Sequence, residues 1–324
     1  MDYLISAISF PVPDPFSAPG ERFSAPIDLA RVRRLFAQPG RVAESGFLRR
    51  EVASRMFERL ELVRLAPRCV IDAGCGEGAD LPVLQQRFGD ARLVGVDAAP
   101  AMLGAARAAR SAALSSMKTL FAKWLPGRLA GGGGEAGLVC ADFARLPFGP
   151  SCADLVWSNL ALHWHPQPDL VFAEWHRVLR VDGLLMFSCF GPDTFKEVRE
   201  AFAGIDGASH VLPFVDMHDF GDMLVHAGFA TPVMDMETIT VTYDTPGKLL
   251  ADLRAWGGNP LADRRPGLLG RGQRARLEQG LERARRADGK IGLTFEVVYG
   301  HAFRPPARVT SAGEAIIRFE KPKK

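Results

Sequence analysis

Three glycines at alternate positions, Gly74, Gly76 and Gly78, follow an apolar run in the stretch VIDAGCGEGAD at residues 70–80. Such turns let a ligand approach the backbone closely, and their usual ligand is a phosphate. Here Asp72 stands just before the turn and Glu77 inside it. Two carboxylates repel a pyrophosphate and suit a ligand that carries positive charge. Three later apolar runs also end in polar residues. Asp97 closes ARLVGVD, Asp142 and Phe143 close LVCADF, and Ser158-Asn159-Leu160 lie in ADLVWSNLAL, with His163-Trp164-His165 just beyond. GCGEGA can be fitted to the dinucleotide pattern GxGxxG/A, with Ala79 as its last small residue and Asp97 at the ribose position. The acidic pair at the loop argues against that ligand.

The elements that must position these residues are legible from periodicity. Leu48, Val52, Met56, Leu60 and Val63 recur at helical spacing. From Cys69 the pattern becomes strand–helix alternation. CVIDAG, ARLVGVD, LVCADF, ADLVWSNLAL and GLLMFSCF predict strands, with helices over DLPVLQQRF, PAMLGAARAAR and QPDLVFAEWHRVLR. Pro168 can start the last of these helices and Gly183 can end it. Short apolar strands alternating with helices predict a parallel sheet covered on both faces. ETITVTY (237–243) and LTFEVVYGHAF (293–303) read as two later strands. Long helical inserts at 191–236 and 246–292 precede them, and inserts of this size predict a cap over the ligand crevice. A further insert between Asp97 and Asp142 contains a basic amphipathic piece with Lys118, Phe121, Lys123, Trp124 and Leu125, then the glycines 131–134.

The chain has 324 residues, 47% hydrophobic and 24% charged, an ordinary globular balance. No apolar run reaches the ~18 residues of a membrane-spanning helix. The first residues hold no basic stretch and are broken by Pro11, Pro13 and Pro15, unlike a secretory signal. Cys69, Cys75, Cys140, Cys152 and Cys189 include no CxxC pair, which predicts buried thiols in a reducing, cytoplasmic setting. His163, His165 and His176 match no standard zinc spacing, so no metal is expected. The division expected is a disordered lead (1–26), N-terminal helices (27–66), a ligand-binding core (67–190), a capped part (191–304) and a basic tail (305–324).

In this order the motifs of residues 69–190 resemble the S-adenosylmethionine-dependent class I methyltransferases. The resemblance implies an α/β, doubly wound, seven-stranded Rossmann-like fold with helical cap inserts, and S-adenosyl-L-methionine as cofactor. It also implies site roles. Asp72 would hold the methionine ammonium. Gly74, Cys75, Gly76 and Gly78 would form the loop against the ligand, and Asp97 would accept from the ribose hydroxyls. Ala98 and Met102 would line the adenine, Asp142 and Phe143 would meet its amine and ring, and Asn159 and Leu160 would lie under the methionine end.

The resemblance continues through SNLALHWHPQPDL, FGPDTFKEVREAF, ETITVTYDTPGKLLADLRAWGGNP, RRPGL and LTFEVVYGHAF. These are similar to the malonyl-acyl-carrier-protein O-methyltransferases of biotin synthesis. That family often places a tyrosine before the first strand, and LFAQPGRVAESGFLRREVASRM has none. FLRREVASRM, FGPDTFKEVR and LPFVDMHDFGDML also resemble a methyltransferase-fold assembly factor of respiratory complex I associated with arginine hydroxylation. A malonyl carboxylate is ionised at pH 7 and needs no general base. Arg254, Arg264 and Arg265, which flank WGGNPLAD, are candidates for orienting it; at the carboxyl edge of the sheet Trp164 would wall the pocket and His163 would touch the acceptor.

Residues 246–324 hold 17 Lys and Arg against 8 Asp and Glu, and the whole chain is only +3. This asymmetry predicts an anionic partner for the C-terminal part. Within 264–286 there are eight arginines and two glutamates, which would suit an acidic acyl carrier protein. Nucleic acid, and so an RNA methyltransferase, is a second reading. It is disfavoured because no aromatic residue for base stacking occurs between Gly258 and Thr294.

Overall fold

The computed structural model describes residues 26–40, 46–121, 136–256 and 258–307. The proline-rich lead through residue 25, the piece with Trp124 and the four glycines, and the tail from 308 onward lie outside the described residues.

Seven strands form one sheet: β1 (Cys69–Ala73), β2 (Arg92–Asp97), β3 (Gly137–Cys140), β4 (Ala153–Ser158), β5 (Leu179–Phe190), β6 (Ala230–Tyr243) and β7 (Ile291–Phe303). Their spatial order is β3-β2-β1-β4-β5-β7-β6. The first five are parallel to one another, and β7 runs antiparallel between β5 and β6. The order reverses between β1 and β4, and the crevice beyond the strand ends at such a reversal is where open α/β sheets bind ligands. Asp72, Asp97 and Ser158 all sit at that end.

Helices cover both faces. After α1 (Leu29–Leu35), one face carries α2 (Gly46–Glu61), whose Leu48, Val52, Met56 and Leu60 are buried as their spacing predicts. They pack with α3 (Leu81–Arg87) against Trp157 and Met186 of the sheet. Along the edge runs α4 (Pro100–Phe121), eleven residues longer than the expected PAMLGAARAAR. On the other face lie α5 (Pro168–Val178) and α7 (Met217–His226). Phe172 and Trp175 of α5 and Phe220 of α7 close around Phe187 with ring centroids 5.2–6.5 Å apart. Burying each such ring contributes about 1.5–3 kcal/mol.

Three expectations are corrected. First, α5 ends at Val178, not at Gly183. Leu179 immediately begins β5 and pairs with Ala153, and the strand bends before Leu184 pairs with Leu155. Asp182 takes a φ of 63° in that bend, and a Cβ on Gly183 would lie 2.8 Å from the Arg180 carbonyl oxygen. The glycine thus serves a strand irregularity. Second, β6 begins at Ala230, not Glu237, because β7 supplies pairing partners along its full length. Third, α7 of the first insert does not join a cap; its Phe220, Met223 and Leu224 belong to the sheet core.

The cap is built from α6 (Lys196–Ala203), α8 (Pro246–Ala255) and α9 (Arg271–Glu282). A Cβ on Gly280 would lie 2.9 Å from Ala201, so α9 and α6 touch backbone to backbone there. FGPDTFKEV and LTFEVV hold each other in place. The Asp193 N–H donates to Glu296 Oε2 at 2.7 Å, and the Thr294 hydroxyl and N–H donate to Glu197 at 2.5 and 3.0 Å. Trp256, just after α8, stacks on Phe195 at 5.9 Å and stands edge-on to Phe295 at 4.4 Å. Backbone bonds from Asp28 to Pro260 (3.0 Å) and from Ala262 to Pro26 (2.8 Å) stitch the chain before α1 to the cap.

Candidate active site

The glycine loop is shaped from two sides. The Gly74 and Cys75 N–H groups both donate to the Val96 carbonyl, at 2.8 and 2.9 Å. Gly74, Gly76 and Gly78 have φ values of +84°, +54° and +75°, which L side chains rarely adopt. At Gly74 space also forbids a side chain, since a Cβ would lie 2.3 Å from that of Ala161. Asp97 closes the loop: Oδ2 accepts from the Gly76 N–H at 2.9 Å and Oδ1 from the Ala99 N–H at 2.8 Å. The same carboxylate therefore orders the turn before α4 and fixes the loop.

Asp72 is 3% exposed, and its Oδ2 is buried with no hydrogen-bond partner. Burial pushes this carboxyl well above the usual carboxylate range, and Asp80 and Asp97 add to the effect. Asp80 is raised by burial too, opposed by bonds from Trp157 Nε1 (2.9 Å) and Asn159 Nδ2 (3.1 Å). Burial likewise raises Asp97 against its two N–H donors. Three carboxyls raised by burial thus border one pocket, and Asp72 among them keeps an oxygen with no donor.

The SNL motif organises the floor. The Ser158 hydroxyl donates to the Ala73 carbonyl at 2.7 Å. Asn159 Nδ2 donates to Asp80 and, at 3.0 Å, to the Arg49 carbonyl, while Asn159 Oδ1 accepts from the Ser188 hydroxyl at 3.0 Å. Leu160 has a φ of 48°, held by its N–H donating to the Ser188 carbonyl (3.1 Å) and hydroxyl (3.0 Å). A leucine in the left-handed region is strained, and such strain persists where neighbours over-determine it.

These residues surround a cavity of about 140 Å³. Every cofactor-side residue expected from the sequence borders it except Gly78 and Asp142. Gly78 instead lies against Leu81 and Ala106, and Asp142 Oδ1 accepts from the Ala144 N–H at 2.9 Å. A second, outer cavity of about 500 Å³ lies beneath the cap. His163, Trp164, Phe190 and Trp256 border both, so the two meet at these rings.

The acceptor candidates divide. His163 and Trp164 stand at the junction. Arg254 borders the outer cavity, with its Nε donating to the Leu250 carbonyl at 3.0 Å. Arg264 and Arg265 border neither cavity, and Arg265 pairs with Asp206 at 2.8 Å. His165 accepts from the Gln167 N–H at 3.1 Å, and His176 packs edge-on to Phe229 at 5.1 Å. The Cys75 thiol is buried and pushed up by that burial, as befits a small packing residue rather than a nucleophile.

Several bordering residues carried no readable signal. Asp80 occupies the position of a helix cap, yet makes no cap bond. Arg49 pairs with Glu77 at 3.2 Å and so neutralises the loop's other acid. Phe36 follows α1 and stands edge-on to Trp164 at 5.3 Å. It brings the N-terminal segment to the cavity although that segment has no tyrosine.

The family model described as "Methyltransferase domain" matches residues 71–187. The chain is 48% identical over 297 residues to a malonyl-acyl-carrier-protein O-methyltransferase of Laribacter hongkongensis, covering 90% of this chain and 96% of that one. It is 45% identical over 294 residues to the protein of that name from Gallionella capsiferriformans, with the same coverage. A candidate methyltransferase of Bacillus halodurans shares the fold at a TM-score of 0.54 and 16% identity, over 78% of this chain and 99% of that one.

The protein is a methyltransferase whose methyl donor is S-adenosylmethionine. The pocket fits that donor. The orphaned Asp72 oxygen can meet its ammonium, and the Gly74–Gly76 backbone borders the same cavity. Identities of 48% and 45% over nine-tenths of the chain place this protein in the malonyl-acyl-carrier-protein O-methyltransferase family.

Proposed function

We propose that the protein methylates the free carboxylate of a malonyl thioester carried by an acidic acyl carrier protein, as a step of biotin synthesis. The observation that carries this reading is the junction of the two cavities, where an acidic pocket meets an aromatic chamber beneath a cap that carries exposed arginines.

The roles follow from position. Asp72 receives the ammonium of the methyl donor, and Asp97 its ribose hydroxyls while still holding the loop. Met102 and Phe143 wall the adenine, and Asn159 and Leu160 support the end nearest the junction. The acceptor enters through the outer cavity. Its carboxylate is already ionised, so no residue need remove a proton. Phe190, Trp164 and Trp256 exclude water, which strengthens a nucleophile that water would otherwise solvate. Alignment of the two partners can contribute about 7–11 kcal/mol. The five cysteines are free in the structure, which suits a reducing cytoplasm.

The carrier would dock on the cap. Leu277 and Leu281 bury one stripe of α9, leaving Arg271, Arg276 and Arg283 exposed. Leu268, 95% exposed, borders the mouth of the outer cavity beside them. An acidic surface fits the arginines, and the arm that carries the malonyl group would pass Leu268. Arg276→Glu with Arg283→Glu is expected to slow turnover of malonyl carrier protein about tenfold at low salt. The deficit should shrink as salt screens charges beyond about 8 Å. Malonyl coenzyme A turnover should be unchanged. Equal losses for both substrates, or wild-type turnover of RNA in place of the carrier, would contradict this reading.

A further inference from the structure

His163 lies in the short 3-10 turn Leu162–Trp164 that follows β4. It is 9% exposed, and both ring nitrogens are buried without a hydrogen-bond partner. Its neighbours are rings: Phe190 at 4.6 Å, Trp164 at 5.0 Å and Phe214 at 5.9 Å. Buried side-chain donors are nearly always satisfied, and an unsatisfied one is destabilising. A leucine or phenylalanine would fill this aromatic wall without that penalty. The imidazole is also one of four side chains that border both cavities. The ring thus adjoins the junction, the space in which a bound acceptor would supply the missing partner.

We propose that His163 donates a ring N–H to the acceptor carboxylate at the cavity junction and thereby fixes which oxygen faces the methyl group. This rests on the acceptor being a carboxylate, as inferred above. Burial pushes the imidazole pKa down to about 3, so the ring is uncharged at neutral pH and always carries one N–H.

An uncharged donor suits the chemistry better than a cation. The carboxylate lone pair forms the new O–C bond as the S–C bond breaks and its electron pair returns to sulfur. No proton moves, and opposite charges disappear as the bond forms. A fixed cation on the carboxylate would stabilise the ionised reactant more than the transition state, and only the difference between the two affects the rate. A neutral N–H orients the nucleophile and holds its charge less tightly. Of the three candidate arginines, Arg264 and Arg265 border neither cavity and Arg254 borders only the outer one, so none is among the junction residues shared by both.

The test compares His163→Phe, which keeps the ring packing, with His163→Gln, which keeps a neutral donor. His163→Phe is expected to lower kcat/KM for malonyl carrier protein by about 10–100-fold, the worth of one hydrogen bond to a charged group. Melting temperature should be at or above the wild-type level, because phenylalanine leaves no buried nitrogen unpaired, and calorimetric affinity for S-adenosylhomocysteine should be unchanged. His163→Gln is expected to recover most of the rate. Full activity in the Phe variant, or a Gln variant as slow as the Phe variant with both folded, would remove the role from His163 alone. If the wild-type enzyme neither binds nor methylates malonyl carrier protein, the carboxylate reading fails and this assignment falls with it.

Discussion

Gly74→Ala is expected to lower stability by about 2–5 kcal/mol, the sum of a left-handed φ imposed on an L residue and an overpacked contact. Both contributions come from one place. The backbone φ is +84°, and the new methyl would lie 2.3 Å from the Ala161 Cβ. Neither group is the free end of a flexible chain. Relief therefore requires the loop to move away from the turn after β4, and the Gly74 N–H to weaken its bond with Val96. That displacement moves the loop against the methyl donor as well. A shift of about 1 Å in positioned groups can reduce rates about 100-fold. Gly104, within α4, is the control, because a Cβ there meets nothing within 4 Å. Gly104→Ala should be neutral or stabilising by about 0.5–1 kcal/mol. Thermal melts and calorimetry of both variants decide the point. A Gly74→Ala protein that melts and binds like wild type would show that the loop is not constrained as described.

Asp72→Asn should weaken S-adenosylmethionine by about 10–100-fold, since a hydrogen bond to a charged group is worth about 1.5–3 kcal/mol. The shape is kept and the charge is lost, and the amide would aim hydrogens where a cation belongs. The free protein should respond in the opposite sense. Burial, with Asp80 and Asp97 nearby, raises the folded pKa of Asp72 above its unfolded value. The folded state then holds the proton more tightly than the unfolded chain does. Stability from this group is fully present below the ordinary carboxylate pKa, and it is lost as pH rises through the raised folded value. The asparagine variant escapes that loss. Its melting temperature relative to wild type should therefore climb from acid pH to pH 8, while only wild type gains cofactor affinity as Asp72 ionises. Melts and calorimetry across pH supply both readings. An asparagine variant that binds as tightly as wild type, with no change in the pH trend, would remove Asp72 from the cation site.

The sequence made the centre of the sheet legible because each parallel strand is a continuous apolar run with its polar residue at the ligand end. Asp72, Asp97 and Asn159 were readable for that reason, and the structure brings them to one cavity. Asp80 was not, because an aspartate before a helix has an ordinary use as a cap. Only tertiary structure shows its carboxylate turned toward Trp157 and Asn159. The N-terminal contribution was hidden differently. Val32 and Phe36 look like any helix stripe, and their place at the cavity depends on backbone bonds to residues 260–262, far away in the chain. The arginines flanking WGGNPLAD show the limit of charge as a guide. Arg265 satisfies Asp206 away from both cavities, whereas the buried polar group at the junction is an uncharged histidine. The over-long reading of α5 had a local cause: Gly183 carries a helix-ending signal but serves a bend within β5.

The most direct test of the proposed reaction is mass spectrometry of malonyl carrier protein after incubation with the enzyme and S-adenosylmethionine. The expected result is a gain of one methyl group on the malonyl moiety, lost again on mild esterase treatment, with none on acetyl carrier protein, which has no free carboxylate. An unmodified malonyl carrier protein, or a methyl group that resists esterase, would contradict it.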